Sequence, residues 1–201
     1  YLFQVGKLPA AQRRFEQVPR TASNYMRARY FLGTVLVRQG KLKKARTVFL
    51  QLVKEPVSED EQRAQLERKI QNLSLLAVAR IAYEMNEFDK AVDVYNRVPR
   101  ASPAFDKAMY ESVWVAIKRK AYEAALKKLE LLLVSKPDVL DGPDAHILQG
   151  KLKMMLSEYK TAETAFEGVA NSFGVIESDM MKVVREHPRL EAHFGRIIGD
   201  R

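Results

Sequence analysis

The sequence predicts an all-α fold of stacked helical hairpins, and three observations carry that expectation. First, short stretches recur at a period of 34 residues: Gly6 to Gly40, Ala11 to Ala45 and Phe15 to Phe49 are each 34 apart. Self-similarity at a fixed period of this size marks repeat architectures, in which neighbouring units bury faces that no unit buries alone. Second, small residues keep fixed places in the period: Gly33, Ala79 and Gly150 in the first helix of a unit, Ala45, Ala91, Ala125 and Ala162 in the second. Phe49, Tyr95, Leu129 and Phe166 follow those alanines by four positions and so share their helix face. Third, Pro56, Pro103 and Pro137 fall between units, where helices stop or begin.

The units follow in order. A partial repeat occupies residues 1–24, with only five residues before Gly6; the sequence therefore reads as a segment of a longer protein, or one whose start has been removed. Repeats are expected over about 26–57, 72–104, 106–139 and 143–174. Their signatures are Gly40-Lys-Leu-Lys-Lys-Ala45, Asn86-Glu-Phe-Asp-Lys-Ala91, Ala121-Tyr-Glu-Ala-Ala125 and Glu158-Tyr-Lys-Thr-Ala162. Ala45 to Ala91 is 46, the same period lengthened by a polar insertion of 12 at 58–69 that lacks Gly and Pro. Ser58 with Glu61 matches the capping-box pattern that starts a helix, so one long helix is expected over about 59–85. Its first three turns should project beyond the stack, either as a solvated extension or as a docking prong. Residues 175–201 are expected to form a C-terminal capping helix pair, broken at Pro188, whose Phe194, Ile197 and Ile198 either close the last repeat or dock beyond it.

These units resemble the tetratricopeptide repeat (TPR) family over about residues 1–170. The resemblance implies a right-handed α-solenoid, a single domain over 1–201, and a concave face lined by the first helix of each unit that holds an extended peptide or a partner helix. Carried over repeat by repeat, the groove positions are Arg27, Tyr30, Thr34 and Arg38; then Leu76, Arg80, Tyr83 and Glu84; then Lys107, Tyr110, Trp114 and Lys118; then Ile147, Lys151 and Met154. Tyr, Trp and Arg are frequent interface hot spots, and Trp114, the sole tryptophan, is the best single anchor. The competing reading is that Tyr30, Tyr83 and Trp114 pack between neighbouring repeats. Some TPR domains grip a terminal carboxylate with Lys, Asn and Arg. Here the matching positions hold Tyr30, Thr34, Ala77, Lys107 and Glu111, so only Lys107 fits and that clamp is not expected.

Composition narrows the function. With 201 residues, 47% hydrophobic and 29% charged, the chain has the makings of a folded core rather than a disordered or fibrous protein. Cysteine is absent, which removes disulfides, thiolate metal sites and cysteine nucleophiles. No apolar run is long enough to cross a bilayer, and Tyr1-Leu-Phe-Gln-Val does not open a signal peptide. No phosphate loop, nucleophile elbow or His-Glu-x-x-His motif occurs, and His146, His187 and His193 are not spaced as ligands on one helix face. No enzyme activity, cofactor, metal or small-molecule substrate is expected.

The net charge of +9 is uneven. Residues 1–54 hold 12 Lys/Arg against one acid, Glu16, whereas the remaining 147 residues hold 22 Lys/Arg and 24 Asp/Glu. A basic patch of Arg13, Arg14, Lys41, Lys43, Lys44 and Arg46 is expected, either as a solvated face or as a binder of anions. Two functions therefore stand: a scaffold that recruits one or more proteins, with an acidic peptide as one candidate, or a module that binds nucleic acid or anionic lipid through residues 1–54. The stretches Ala108-Met-Tyr-Glu-Ser-Val-Trp114, Tyr122-Glu-Ala-Ala-Leu126 and Pro143-Asp-Ala-His-Ile-Leu148 are similar to TPR modules of bacterial cell-envelope assemblies. That likeness implies the periplasm or envelope; the cytoplasm also fits.

Overall fold

The structure, a computed structural model, describes residues 2–135 and 143–186. Nine helices and no strand occur among them: α1 Leu8–Glu16, α2 Tyr25–Arg38, α3 Leu42–Lys54, α4 Glu61–Glu84, α5 Phe88–Asn96, α6 Phe105–Lys118, α7 Tyr122–Ser135, α8 Pro143–Met155 and α9 Tyr159–Glu186. The chain is all-α, as the periodicity predicts.

One backbone turn is used five times. Gly6, Gly40, Asn86, Lys120 and Ser157 all take positive φ, between 58° and 75°. In each case the following amide reaches back five residues, as Lys41 N–H does to the Leu36 carbonyl at 2.9 Å and Ala121 N–H to the Ala116 carbonyl at 2.9 Å. This is the left-handed helix end that satisfies orphan carbonyls and reverses the chain. It recurs because the hairpin geometry demands it, even where the residue is not glycine.

The chain forms two compact units, residues up to Lys128 and residues from Leu129. In the first, α2 packs on α1 and α3, α4 on α3 and α5, and α5 on α6, while α2 also touches α4. Ala45, Ala91 and Ala125 are fully buried, and Phe49, Tyr95 and Leu129, one turn later, are buried too. The reason for Gly33 is direct: a Cβ there would stand 2.5 Å from Cζ of Phe49. In the second unit α8 packs on α9, and Gly150 repeats the device, with a Cβ 2.6 Å from the Phe166 ring. The small-residue positions thus allow helix backbones to approach across each hairpin.

The structure corrects the expected start of the long helix. The cap is Asp60, whose Oδ1 accepts from Arg63 N–H at 2.8 Å; the Ser58 hydroxyl oxygen instead accepts from Asp60 N–H at 3.2 Å. Nor do its first turns stand free. Ala64, Glu67 and Ile70 are buried on their inner face. Glu67 accepts from Ser58 N–H (2.6 Å) and from Arg63 Nε (2.8 Å), and Gln71 donates to the Glu55 carbonyl at 2.7 Å. The segment between α3 and α4 therefore folds back along the extension, leaving only the outer face, with Leu66 and Arg68, exposed. At the other end, α9 runs unbroken to Glu186, so residues 171–186 continue the last repeat helix instead of starting a new one. The second capping helix, expected after Pro188, and Pro137 lie outside the described residues.

Candidate partner-binding face

The first helices of three repeats, α2, α4 and α6, turn equivalent positions outward. Residues 27, 30, 34 and 38 of α2 lie on one face by helical spacing, and residues 107, 110, 114 and 118 reproduce it on α6. Between them stands Arg80 of α4. Its guanidinium grips the Glu111 carboxylate in a two-point pair, with Nε at 2.7 Å from Oε2 and Nη2 on Oε1. The Tyr95 hydroxyl donates to the same carboxylate at 3.0 Å. The pair holds Arg80 even more firmly protonated than usual, chiefly through the hydrogen bond with Glu111, against the cost of its burial.

Burial pushes the Tyr30 hydroxyl up in pKa, with the Arg80 charge pulling the other way. Tyr95 is pushed up strongly, first by burial and then by the negative Glu111 beside it. The centre of the row is thus a charge-neutral, hydrogen-bonded cluster of Arg80, Glu111 and Tyr95.

The aromatic candidates divide. Tyr30 is half-buried with its ring edge-on to Phe49 at 5.5 Å, and Tyr83 is half-buried edge-on to Phe88 at 5.7 Å. Both belong in part to the packing. Trp114 is 42% exposed, with the Tyr110 ring edge-on at 6.5 Å. Leu76 is a core residue. Thr34 donates to the Tyr30 carbonyl at 3.0 Å within its own helix.

The cations divide as well. Arg27, Lys107 and Lys118 are exposed and meet no carboxylate among the described residues. Arg38 lies 5.0 Å over the Phe3 ring, in cation–π geometry, and its Nη1 donates to the Phe3 carbonyl at 3.4 Å. Lys151 is exposed on α8, in the second unit. Of the basic patch, Arg46 is tied to Glu87 at 2.5 Å, while Arg13, Arg14, Lys41, Lys43 and Lys44 are exposed on or beside α1 and α3. Desolvation would raise the Glu87 carboxyl, but hydrogen bonds from Lys90 and Arg46 prevail and hold it below the usual range.

Sequence reasoning missed Glu111 as a partner and treated it only as a misfit in a carboxylate clamp. The signal was present in the numbering. The repeat equivalent of Arg80 is Trp114, and Glu111 lies one helical turn before it, within reach of the long Arg80 side chain. Among the described residues no three His, Asp or Glu side chains come together as a metal would require, and no helix is long and apolar enough to cross a membrane.

A tetratricopeptide repeat family model matches residues 1–60 and 76–139. Among solved structures, MamA from Desulfovibrio magneticus RS-1 aligns at 18% identity over 85% of this chain and 88% of its own, with a TM-score of 0.62. An RS-1 MamA double mutant aligns at 18% identity over 88% of this chain and 91% of its own, TM-score 0.64. A tetratricopeptide repeat protein from Parabacteroides merdae ATCC 43184 aligns at 20% identity over 86% of this chain and 63% of its own, TM-score 0.65. At these identities the likeness is one of fold. No curated protein sequence matches the chain.

Proposed function

Since the chain belongs to the tetratricopeptide repeat family, we propose that it is a non-catalytic scaffold that recruits a protein partner on the outward face of α2, α4 and α6. The observation that carries this reading is Trp114: a tryptophan left 42% exposed at the place where its repeat equivalents, Thr34 and Arg80, engage their own neighbours. Exposed large aromatics of this kind serve as interface anchors. The occupant is an extended peptide or a helix, because the row runs over the first helices of three successive repeats, α2, α4 and α6. A place in a bacterial envelope assembly draws support from the local likeness around Ala108–Trp114, and fractionation of the native cell tests it.

The test is a cross-linking pull-down from the native source at low and high salt. The expected result is a protein retained at high salt, cross-linked to α4 or α6, and lost with Trp114→Ala at unchanged helicity. Cross-links confined to α1 and α3 would refute the reading. A second reading, polyanion binding through residues 1–54, draws on the five exposed cations Arg13, Arg14, Lys41, Lys43 and Lys44. It requires retention of nucleic acid or lipid that collapses as salt rises.

A further inference from the structure

We infer that the face selects a peptide segment in which a large apolar side chain is flanked on both sides by carboxylates; this rests on the scaffold reading and names its ligand chemistry. The argument begins with what is already satisfied. Arg80, the central cation, is neutralised by Glu111, whose other contact is the Tyr95 hydroxyl. The middle of the face therefore offers no net charge to a ligand. What it does offer is the exposed Trp114 ring with Tyr110 edge-on beside it, a surface suited to an apolar side chain.

The two ends of the row are different. Position 27 and its equivalent 107 are Arg and Lys, and position 38 and its equivalent 118 are Arg and Lys. On α6 the stripe reads Lys107, Tyr110, Trp114, Lys118: cation, aromatic, aromatic, cation, all within three turns of one helix. Lys107 and Lys118 are exposed without an acidic partner among the described residues. A ligand segment that runs along the α6 stripe thus meets positive charge before and after the aromatic pair. Acidic residues on both sides of an apolar anchor match that order, whereas basic ones are repelled at both ends. The Glu84 carboxylate, at the position equivalent to 38 and 118 on α4, lowers the positive field there and makes α6 the side where complementarity is greatest.

The experiment uses the full chain, whose single tryptophan is Trp114. Three labelled synthetic peptides are titrated: a leucine flanked on each side by two glutamates, the same peptide with lysines for the glutamates, and the glutamate peptide with serine for leucine. The expected result is a blue shift of tryptophan emission with the first peptide, and affinity at least tenfold above the other two by anisotropy. The double charge reversal Lys107→Glu with Lys118→Glu should lose about tenfold or more at unchanged urea midpoint, while Lys43→Glu on α3 should leave binding as it was. Equal binding of the glutamate and lysine peptides, each shifting the tryptophan, would overturn the inferred ligand and leave the groove reading standing. An equal loss with Lys43→Glu would also overturn it, because net charge and not this stripe would then be responsible. If none of the three peptides binds, the inferred chemistry is wrong, and the cross-linking pull-down decides separately whether the face recruits anything.

Discussion

Replacing Gly33 by alanine tests the reason the hairpins close. The added methyl would sit 2.5, 2.7 and 2.9 Å from three carbons of the Phe49 ring. Phe49 is only 1% exposed, and the Tyr30 ring lies edge-on at 5.5 Å, so the ring has little room to retreat. Overpacking of this kind costs about 1–3 kcal/mol, and three simultaneous short contacts on an enclosed ring place it in the upper half of that range. Alanine returns about 1 kcal/mol of helix propensity, which leaves a net loss of about 1–2 kcal/mol. For a chain of this size each kcal/mol lowers the melting temperature by about 2–4 °C. Urea unfolding followed by Trp114 emission reports the first unit, where both residues lie, and far-UV circular dichroism reports the whole chain. Gly168→Ala is the control: it lies in α9 with nothing within 4 Å of the added carbon, and it should gain up to about 1 kcal/mol. Combining Gly33→Ala with Phe49→Leu should cost less than the two losses added, because the shorter side chain vacates the methyl's space. A neutral or stabilising Gly33→Ala, or strict additivity with Phe49→Leu, would refute the close-approach argument.

Three further outcomes follow from the same geometry. Lys120→Gly should stabilise by about 1 kcal/mol, the left-handed strain at φ 58° less glycine's extra freedom in the unfolded chain, read as a raised urea midpoint. Asp60→Ala should cost about 1 kcal/mol because it removes the cap on Arg63 N–H, and Ser58→Ala should cost less; the reverse order would restore the capping box at Ser58. The raised pKa of Tyr95 means that the folded state holds its hydroxyl proton more tightly than the unfolded chain does. Its contribution is complete below the ordinary tyrosine value of 10.0 and is lost as the pH rises above it. Tyrosinate absorbance should therefore show a late-ionising component that coincides with alkaline unfolding and shrinks by one tyrosine in Tyr95→Phe, with the raised Tyr30 remaining.

The hairpin architecture was legible because its constraints are periodic. Ala45, Ala91, Ala125 and Ala162 recur at one place in the period, and all four are buried. The turns were legible at Gly6 and Gly40 but not at Lys120 or Ser157, where tertiary packing imposes a left-handed step that local preference opposes. The insertion misled for a related reason. Its outer residues are polar apart from Leu66, and its inner face uses Ala64, Glu67 and Ile70, with a glutamate where a hydrophobe would have signalled burial. That glutamate is tolerated because Ser58 N–H and Arg63 satisfy it, a pairing nine and four residues away that no period announces.

The candidate face was legible in position and not in chemistry, and the two follow from the same cause. Seam positions are held by contact on both sides, so the repeats keep them alike. Outward positions meet solvent or a ligand, where most substitutions change stability by under about 0.5 kcal/mol, so the fold leaves them free to diverge. The one register that reads Thr34, Arg80 and Trp114 shows the result. Thr34 is turned onto its own helix through the Tyr30 carbonyl, Arg80 is exposed but tied to Glu111 across α4 and α6, and Trp114 keeps a large apolar surface exposed. Equivalent places in three repeats are thus an internal hydrogen bond, an inter-repeat lock and an open anchor. A partner that binds along this row takes its register from α6, since neither of the other two places has an unengaged group to offer.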